Sequence, residues 1–239
     1  MDADTMTGQP FSILAFDTST PSCSVALIAN GTLIGEDTRS GPGNYSALLL
    51  RMVARLMQDA ALAISELDCI AVAQGPGSFT GLRVGISTAQ GLGFALTKPL
   101  IGVSTLEIVA TQNMPFAGNV CAMLDARRGQ VYTCLFKGTG NAAAALSEEH
   151  VICPEQWASS LQGPVLFCGC GAHVYQETIK RACVAEHYFA PDMNARPRAA
   201  MLARIALKRL TAGQGQHPAQ VLPGYVRRPD AERTADVRC

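Results

Sequence analysis

Residues Gly75 to Gly85 read GPGSFTGLRVG, and this stretch decides the fold. The apolar run Cys69 to Ala73 leads into it and a helical pattern, Leu82 to Leu96, leads out. The order is a strand, a sharp turn and a helix start. Gly75 and Gly77 allow backbone angles that other residues resist, Pro76 stiffens the turn between them, and Ser78 or Thr80 can cap the helix by accepting from its free N–H groups. The spacing matches neither a dinucleotide fingerprint nor a P-loop, because the third glycine comes one residue late and no lysine follows Gly81. Such a turn can hold an anion or simply make a tight corner, and these residues leave both open.

The outgoing helix holds Gly81, Gly85, Gly91 and Gly93, each costing about 1 kcal/mol relative to alanine in a helix interior. A compensating gain is required. Gly81, Gly85, Ala89 and Gly93 recur every fourth residue, forming a row nearly free of side chain that lets another backbone approach closely. That backbone is either the chain's own sheet or a helix of another subunit. Upstream, Ser46 to Leu62 is expected to be helical. Its apolar residues (Leu48, Leu49, Leu50, Met52, Val53, Leu56, Met57, Ala60) wrap most of the circumference and leave a polar strip of Arg51, Arg55, Gln58 and Asp59. One buried face needs fewer. The expected partner interface is therefore Leu49, Met52, Val53 and Leu56 together with Gly81, Gly85, Ala89 and Gly93.

Further out, Phe11 to Phe16 reads as a buried strand ending at Asp17. Cys23 to Ala29 and Thr32 to Asp37 form a hairpin around Asn30-Gly31. Pro99 to Val103 is a short strand, and Ser104 with Glu107 forms a capping-box pattern at the next helix. Turn residues from Asn113 to Gly118 mark a boundary. Beyond it come strands at Asn119 to Asp125 and Gln130 to Phe136, and an exposed segment at Asn141 to Glu149. A helix opened by Pro154, a strand at Pro164 to Cys168 and a helix at Ala172 to Cys183 follow. Arg198 to Leu210 is the last strong helix, stopped by Gly213 and expected to return to the first lobe. The expected organisation is residues 1–112 with 196–213 as one lobe, 113–195 as a smaller second lobe, and 214–239 as a basic tail in which Tyr225 and Val226 are fit to dock.

The 239 residues carry 19 Lys/Arg and 19 Asp/Glu, for a net charge of zero, yet residues 196–239 hold 9 cations against 3 acids. This excess suits RNA, an acidic partner surface or a solvated helix face. No apolar run reaches the roughly 18 residues of a membrane span, and the first ten residues lack the order of a signal peptide, so a cytoplasmic protein is expected. The nine cysteines are scattered, without a CxxC pair, and read as buried reduced thiols.

The strand, polar loop DTSTPS (Asp17 to Ser22) and hairpin resemble the opening of the actin-like, ribonuclease-H-like architecture, here a two-lobed α/β fold with mixed sheets and flanking helices. In that architecture the first acidic residue and its loop face a nucleotide phosphate. Asp17, Thr18 and Ser19, with Ser78 and Arg83, are thereby possible nucleotide contacts; Arg83 can equally form a structural ion pair. The blocks ILAFDTSTPSCSVAL (from Ile13), GPGSFTGLRVGISTAQGLGFAL (from Gly75), IGVSTLE (from Ile101), LDARRGQVY (from Leu124) and LPGYVRR (from Leu222) together resemble the bacterial TsaB (YeaZ) family, in order and over most of the chain.

The resemblance implies a non-catalytic subunit, without cofactor, of the complex that makes threonylcarbamoyladenosine at position 37 of tRNAs reading ANN codons. In that complex TsaD transfers the threonylcarbamoyl group. TsaB binds and activates TsaD, the ATPase TsaE joins them, and TsaB alone pairs with itself through the same region; contact with tRNA is mainly through the complex. TsaD carries a metal-binding His-x-x-x-His pair, whereas His150, His173, His187 and His217 are isolated here, so no metal ligands are expected. Tyr45-Ser46 replaces the His-Thr or His-Ser pair of many relatives, and Gln130 stands where glutamate is usual. The alternatives are a nucleotide-binding hydrolase and a glycoprotease-type peptidase, for which Ser78 or Ser87 is the nucleophile and no histidine partner is evident in the sequence.

Overall fold

A computed structural model describes residues 11–41, 45–138, 140 and 142–226. The chain is an actin-like, ribonuclease-H-like α/β protein of two lobes, each built on one sheet.

The first sheet starts with β1 (Ile13–Thr20), buried along its whole length, which pairs antiparallel with β2 (Ser22–Ala29). The Asn30-Gly31 turn leads to β3 (Thr32–Ser40), three residues longer than the expected Thr32 to Asp37. Helix α1 (Tyr45–Asp59) precedes β4 (Cys69–Gly75), which is parallel to β1. Helix α2 (Phe79–Leu96) precedes β5 (Leu100–Ser104), giving the order β3-β2-β1-β4-β5. Alternation along β1 sorts the two cores. Leu14 and Phe16 meet Leu49, Met52, Val53 and Met57 of α1 and Leu82, Ile86 and Ala89 of α2. Ile13 and Ala15 point the other way.

The second sheet repeats this plan. After α3 (Thr105–Thr111), β6 (Asn119–Asp125) pairs antiparallel with β7 (Val131–Gly138), while β8 (Ala143–Ala145) and β9 (His150–Ile152) both pair with β7. Helix α4 (Pro154–Ser160), β10 (Val165–Cys168), α5 (Cys170–Val174), α6 (Gln176–Ala182) and β11 (His187–Phe189) complete it; β10 lies parallel to both β6 and β11. The final helix, α7 (Ala199–Thr211), packs Leu202, Ala203, Ile205 and Ala206 against Ile13 and Ala15 of the first sheet. Helix α3 serves both cores: Ile108 enters the first lobe, and Leu106, Val109 and Ala110 enter the second.

Three local expectations change. The helix expected over Ala172 to Cys183 is two helices, broken at Tyr175 (φ −107°, ψ 22°), where the phenol reaches the Asp125 carboxylate at 3.3 Å. The capping box at Ser104 is half formed. Ser104 Oγ accepts from the Glu107 N–H, but the Glu107 carboxylate turns to Arg209, 2.8 Å and 2.6 Å from its two oxygens, and Ser104 donates to Glu149. The cationic excess of the last 44 residues is also redistributed. Arg198 pairs with Glu36 and Arg209 with Glu107 around α7, and residues 214–226 contain no lysine or arginine. The remaining cations of the tail lie outside the described residues.

Candidate functional site

The end of β1 and the start of α2 meet directly. The Ser78 N–H donates to the Ser19 carbonyl at 2.7 Å, and the Thr18 hydroxyl donates to the Gly81 carbonyl, also at 2.7 Å. Ser78 caps α2, its hydroxyl accepting from the Gly81 N–H. A Cβ at Gly77 would overlap the Ser19 carbonyl oxygen, and one at Gly81 the Thr18 carbonyl oxygen. The glycines thus bring two backbones into contact.

Asp17 points to the opposite side of the sheet from Thr18, as strand alternation requires. It is fully buried, and one carboxylate oxygen accepts from both the N–H (3.1 Å) and the hydroxyl (2.5 Å) of Ser19 while the other has no partner. Burial pushes its pKa up to about 7, outweighing the opposing effect of the two Ser19 hydrogen bonds. Asp17, Thr18, Ser19 and Ser78 are therefore brought together, but their groups are engaged with one another and the space a phosphate would need is closed by backbone. The donor set does not fit a nucleotide phosphate between β1 and α2.

Arg83 stands apart from this cluster. Its guanidinium lies 3.9 Å above the Phe79 ring and its Nε donates to the Tyr225 hydroxyl at 3.2 Å, while Tyr225 stacks on Phe79 at 5.2 Å between centroids. The cation is thus held by two aromatic rings rather than offered to a phosphate.

The glycine row belongs to the interior, which corrects the expectation of a partner surface there. Gly81 and Gly85 abut Thr18, Ala89 is fully buried, and Gly93 abuts Leu100 and Pro218. Leu49, Met52 and Val53 of α1 are likewise in the core, and Leu56 packs against it. The reason lies at Thr18, near the end of β1: only a helix face without side chains can approach a strand end this closely. The exposed face of the two helices consists of other residues. It includes Ala47, Leu50, Arg51, Ala54 and Arg55 on α1, and Thr80, Ser87, Gly91 and Ala95 on α2. Ser87, Gly91 and Ala95 form a second small-residue row, offset by two positions and so by about 200° from the inner one. Its spacing was readable in the sequence. Gly91 has nothing within 4 Å of where a Cβ would stand.

Tyr225 docks, as its character suggested, but through a longer segment. Gln216 exchanges backbone hydrogen bonds with Leu100, the Gln90 side chain donates to the carbonyls of Pro218 (3.3 Å) and Val221 (3.0 Å), and the Gly224 N–H donates to the Gln74 carbonyl at 2.7 Å. In the second lobe, Asp125 accepts from the Arg127 N–H at 2.9 Å and from Tyr175, while Gln130 is buried beside it in the hairpin; in the first lobe Tyr45, at the start of α1, donates to the Gly41 carbonyl. His150 packs on Trp157, His187 hydrogen bonds to the Ala185 carbonyl, and His217 accepts from the Ala219 N–H. Among the described residues, no three His, Cys, Asp or Glu side chains are grouped to hold a metal ion, and no helix is long and apolar enough to cross a membrane. Among the described residues seven cysteines carry free thiols; burial pushes Cys23, Cys69 and Cys121 up to about 12 and Cys134 to about 11, and raises Cys168 well above the usual thiol range, while Cys153, against expectation, is disulfide-bonded.

Residues 42–235 match the family model described as TsaD, tRNA N6-adenosine threonylcarbamoyltransferase. The Bacillus subtilis tRNA threonylcarbamoyladenosine biosynthesis protein TsaB is 31% identical over 92% of this chain and 96% of its own. The Escherichia coli protein of the same description is 40% identical over 50% of this chain and 52% of its own. The solved structure of YeaZ from Pseudomonas aeruginosa superposes with a TM-score of 0.79 at 33% identity, covering 90% of this chain and 99% of that one. An inner glycine row closed on β1, two repeated sheets and this extent of likeness to TsaB and YeaZ proteins lead to one assignment: the chain belongs to the TsaB (YeaZ) family.

Proposed function

We propose that the chain is the non-catalytic subunit of a complex forming N6-threonylcarbamoyladenosine at position 37 of tRNAs that read ANN codons, and that it works in the cytoplasm by docking on a TsaD-type catalytic subunit. A TsaE-type ATPase joins the pair, and tRNA is met mainly through the complex. The observation that carries this reading is the exposure of Leu50 (52%), Ala47 and Ala54 on α1 and of the small residues Ser87, Gly91 and Ala95 on α2. Small residues let a partner helix come close, and the arginines Arg51 and Arg55 edge the face with charge. A second copy of the chain uses the same face when no partner is present. The absence of catalysis is supported by Ser78, whose hydroxyl is engaged as a helix cap, and by the Asp17 cluster, whose polar groups are turned on one another.

The test is co-purification with a TsaD-family catalytic subunit and TsaE. Leu50→Arg and Gly91→Trp abolish assembly while the isolated chain keeps its circular dichroism spectrum. Normal assembly of both variants overturns the docking reading.

A further inference from the structure

Helix α2 packs Leu82 and Ile86 into the core and sets its inner glycines against the end of β1, while four of its 18 residues are glycine and much of its outer face is small. Along its flank the segment 216–225 runs antiparallel beside it. Contacts occur at four levels. His217 packs edge-on against Phe94 at 5.6 Å, Gln90 donates to the carbonyls of Pro218 and Val221, Gly224 donates to Gln74 just before α2, and Tyr225 covers Phe79 and Arg83 at the first turn.

The other side of the same segment closes the edge of the sheet. Gln216 exchanges both backbone hydrogen bonds with Leu100 of β5, at 2.9 Å and 2.8 Å, and its side-chain carbonyl accepts from the Gly102 N–H at 3.2 Å. Val221 is fully buried beneath it. Apart from one 3-10 turn at Pro218–Gln220, the segment has no regular structure of its own. Its path is therefore set by the groups that fasten it. Among these, Gln90 is a side chain of α2 itself that ties down two backbone carbonyls at once.

We infer that Gln90 is a positioning residue, anchoring residues 216–225 as a brace that sets the pose of α2 and so of the face that receives the partner subunit. The inference rests on the proposed docking through α1 and α2. It places the determinant of affinity behind the contact surface, on the flank of α2 rather than on its outer row.

Gln90→Glu tests it, because glutamate keeps the size of the side chain and cannot donate to the two carbonyls when ionised. Three measurements are made on the full chain: hydrogen exchange at the Gln216 and Gly224 amides, affinity for a TsaD-family catalytic subunit, and the thermal midpoint. Exchange at both amides speeds up at least about tenfold, and affinity falls about tenfold, as expected for two lost hydrogen bonds. Tyr225→Ala, at the exposed end of the brace, gives the same signs and carries the test if Gln90→Glu does not fold. Leu50→Arg separates the two readings, since it removes docking without changing exchange at Gln216 and Gly224. Freed amides with unchanged affinity overturn the brace and leave docking standing. Unchanged exchange in Gln90→Glu also overturns the brace. Full affinity in Leu50→Arg overturns docking itself.

Discussion

The Thr18 hydroxyl hydrogen bonds to the Gly81 carbonyl across 2.7 Å, joining the end of the first strand to the first turn of the second helix at a point where the helix presents no side chain. This contact turns a loop that resembles a phosphate site into a packed junction.

Gly81→Ala places a Cβ onto the Thr18 carbonyl oxygen, and neither backbone can yield without moving a strand or a helix. Loss of about 3 kcal/mol or more is expected in urea denaturation. Gly91→Ala is the control in the same helix. Its Cβ meets open space, and replacing glycine there stabilises the isolated chain by about 0.5 to 1 kcal/mol.

Asp17 makes stability depend on pH in a direction unusual for a carboxylate. Its pKa is about 7 when folded and near the ordinary 3.8 when unfolded, so the folded state binds the extra proton. Stability therefore falls as pH rises from about 4 to about 7, by an order of 4 kcal/mol for this group alone, and is level above that. Asp17→Asn abolishes this slope and is more stable than the parent at pH 8, with the difference shrinking toward pH 5. Urea midpoints at the two pH values decide it. Equal slopes in parent and variant contradict a buried, proton-binding Asp17.

Arg209 donates to the Gly102 carbonyl at 2.8 Å as well as to Glu107. Arg209→Met leaves Glu107, 21% exposed, without its cation and unties α7 from the edge of β5. A loss of about 2 kcal/mol is expected, weakly dependent on salt because the pair is half-buried. Denaturation at low and at high sodium chloride measures both.

Much of this architecture can be read from residue order. The buried apolar run Phe11 to Phe16, the Asn30-Gly31 turn and the strand before GPGSFTG give the first sheet, since each signal is local. The glycine row was legible as a row, but spacing cannot say which side it faces. That is settled by Thr18, 63 residues from Gly81 along the chain. The surplus of apolar residues on α1 pointed outward for the same reason, although the core takes most of them. The break at Tyr175 carries no glycine or proline to mark it, and the residue meets its side-chain partner, Asp125, 50 residues away. Residues 216–225 lack any period, so a segment fastened by side-chain amides such as Gln90 left only Tyr225 and its neighbour Val226 as visible signs.

Helix α3 gives Ile108 to one hydrophobic core and Leu106, Val109 and Ala110 to the other. Neither lobe can lose its packing without exposing part of the helix that the other needs. Heating accordingly melts the protein in one cooperative step, with matching calorimetric and van't Hoff enthalpies, rather than lobe by lobe.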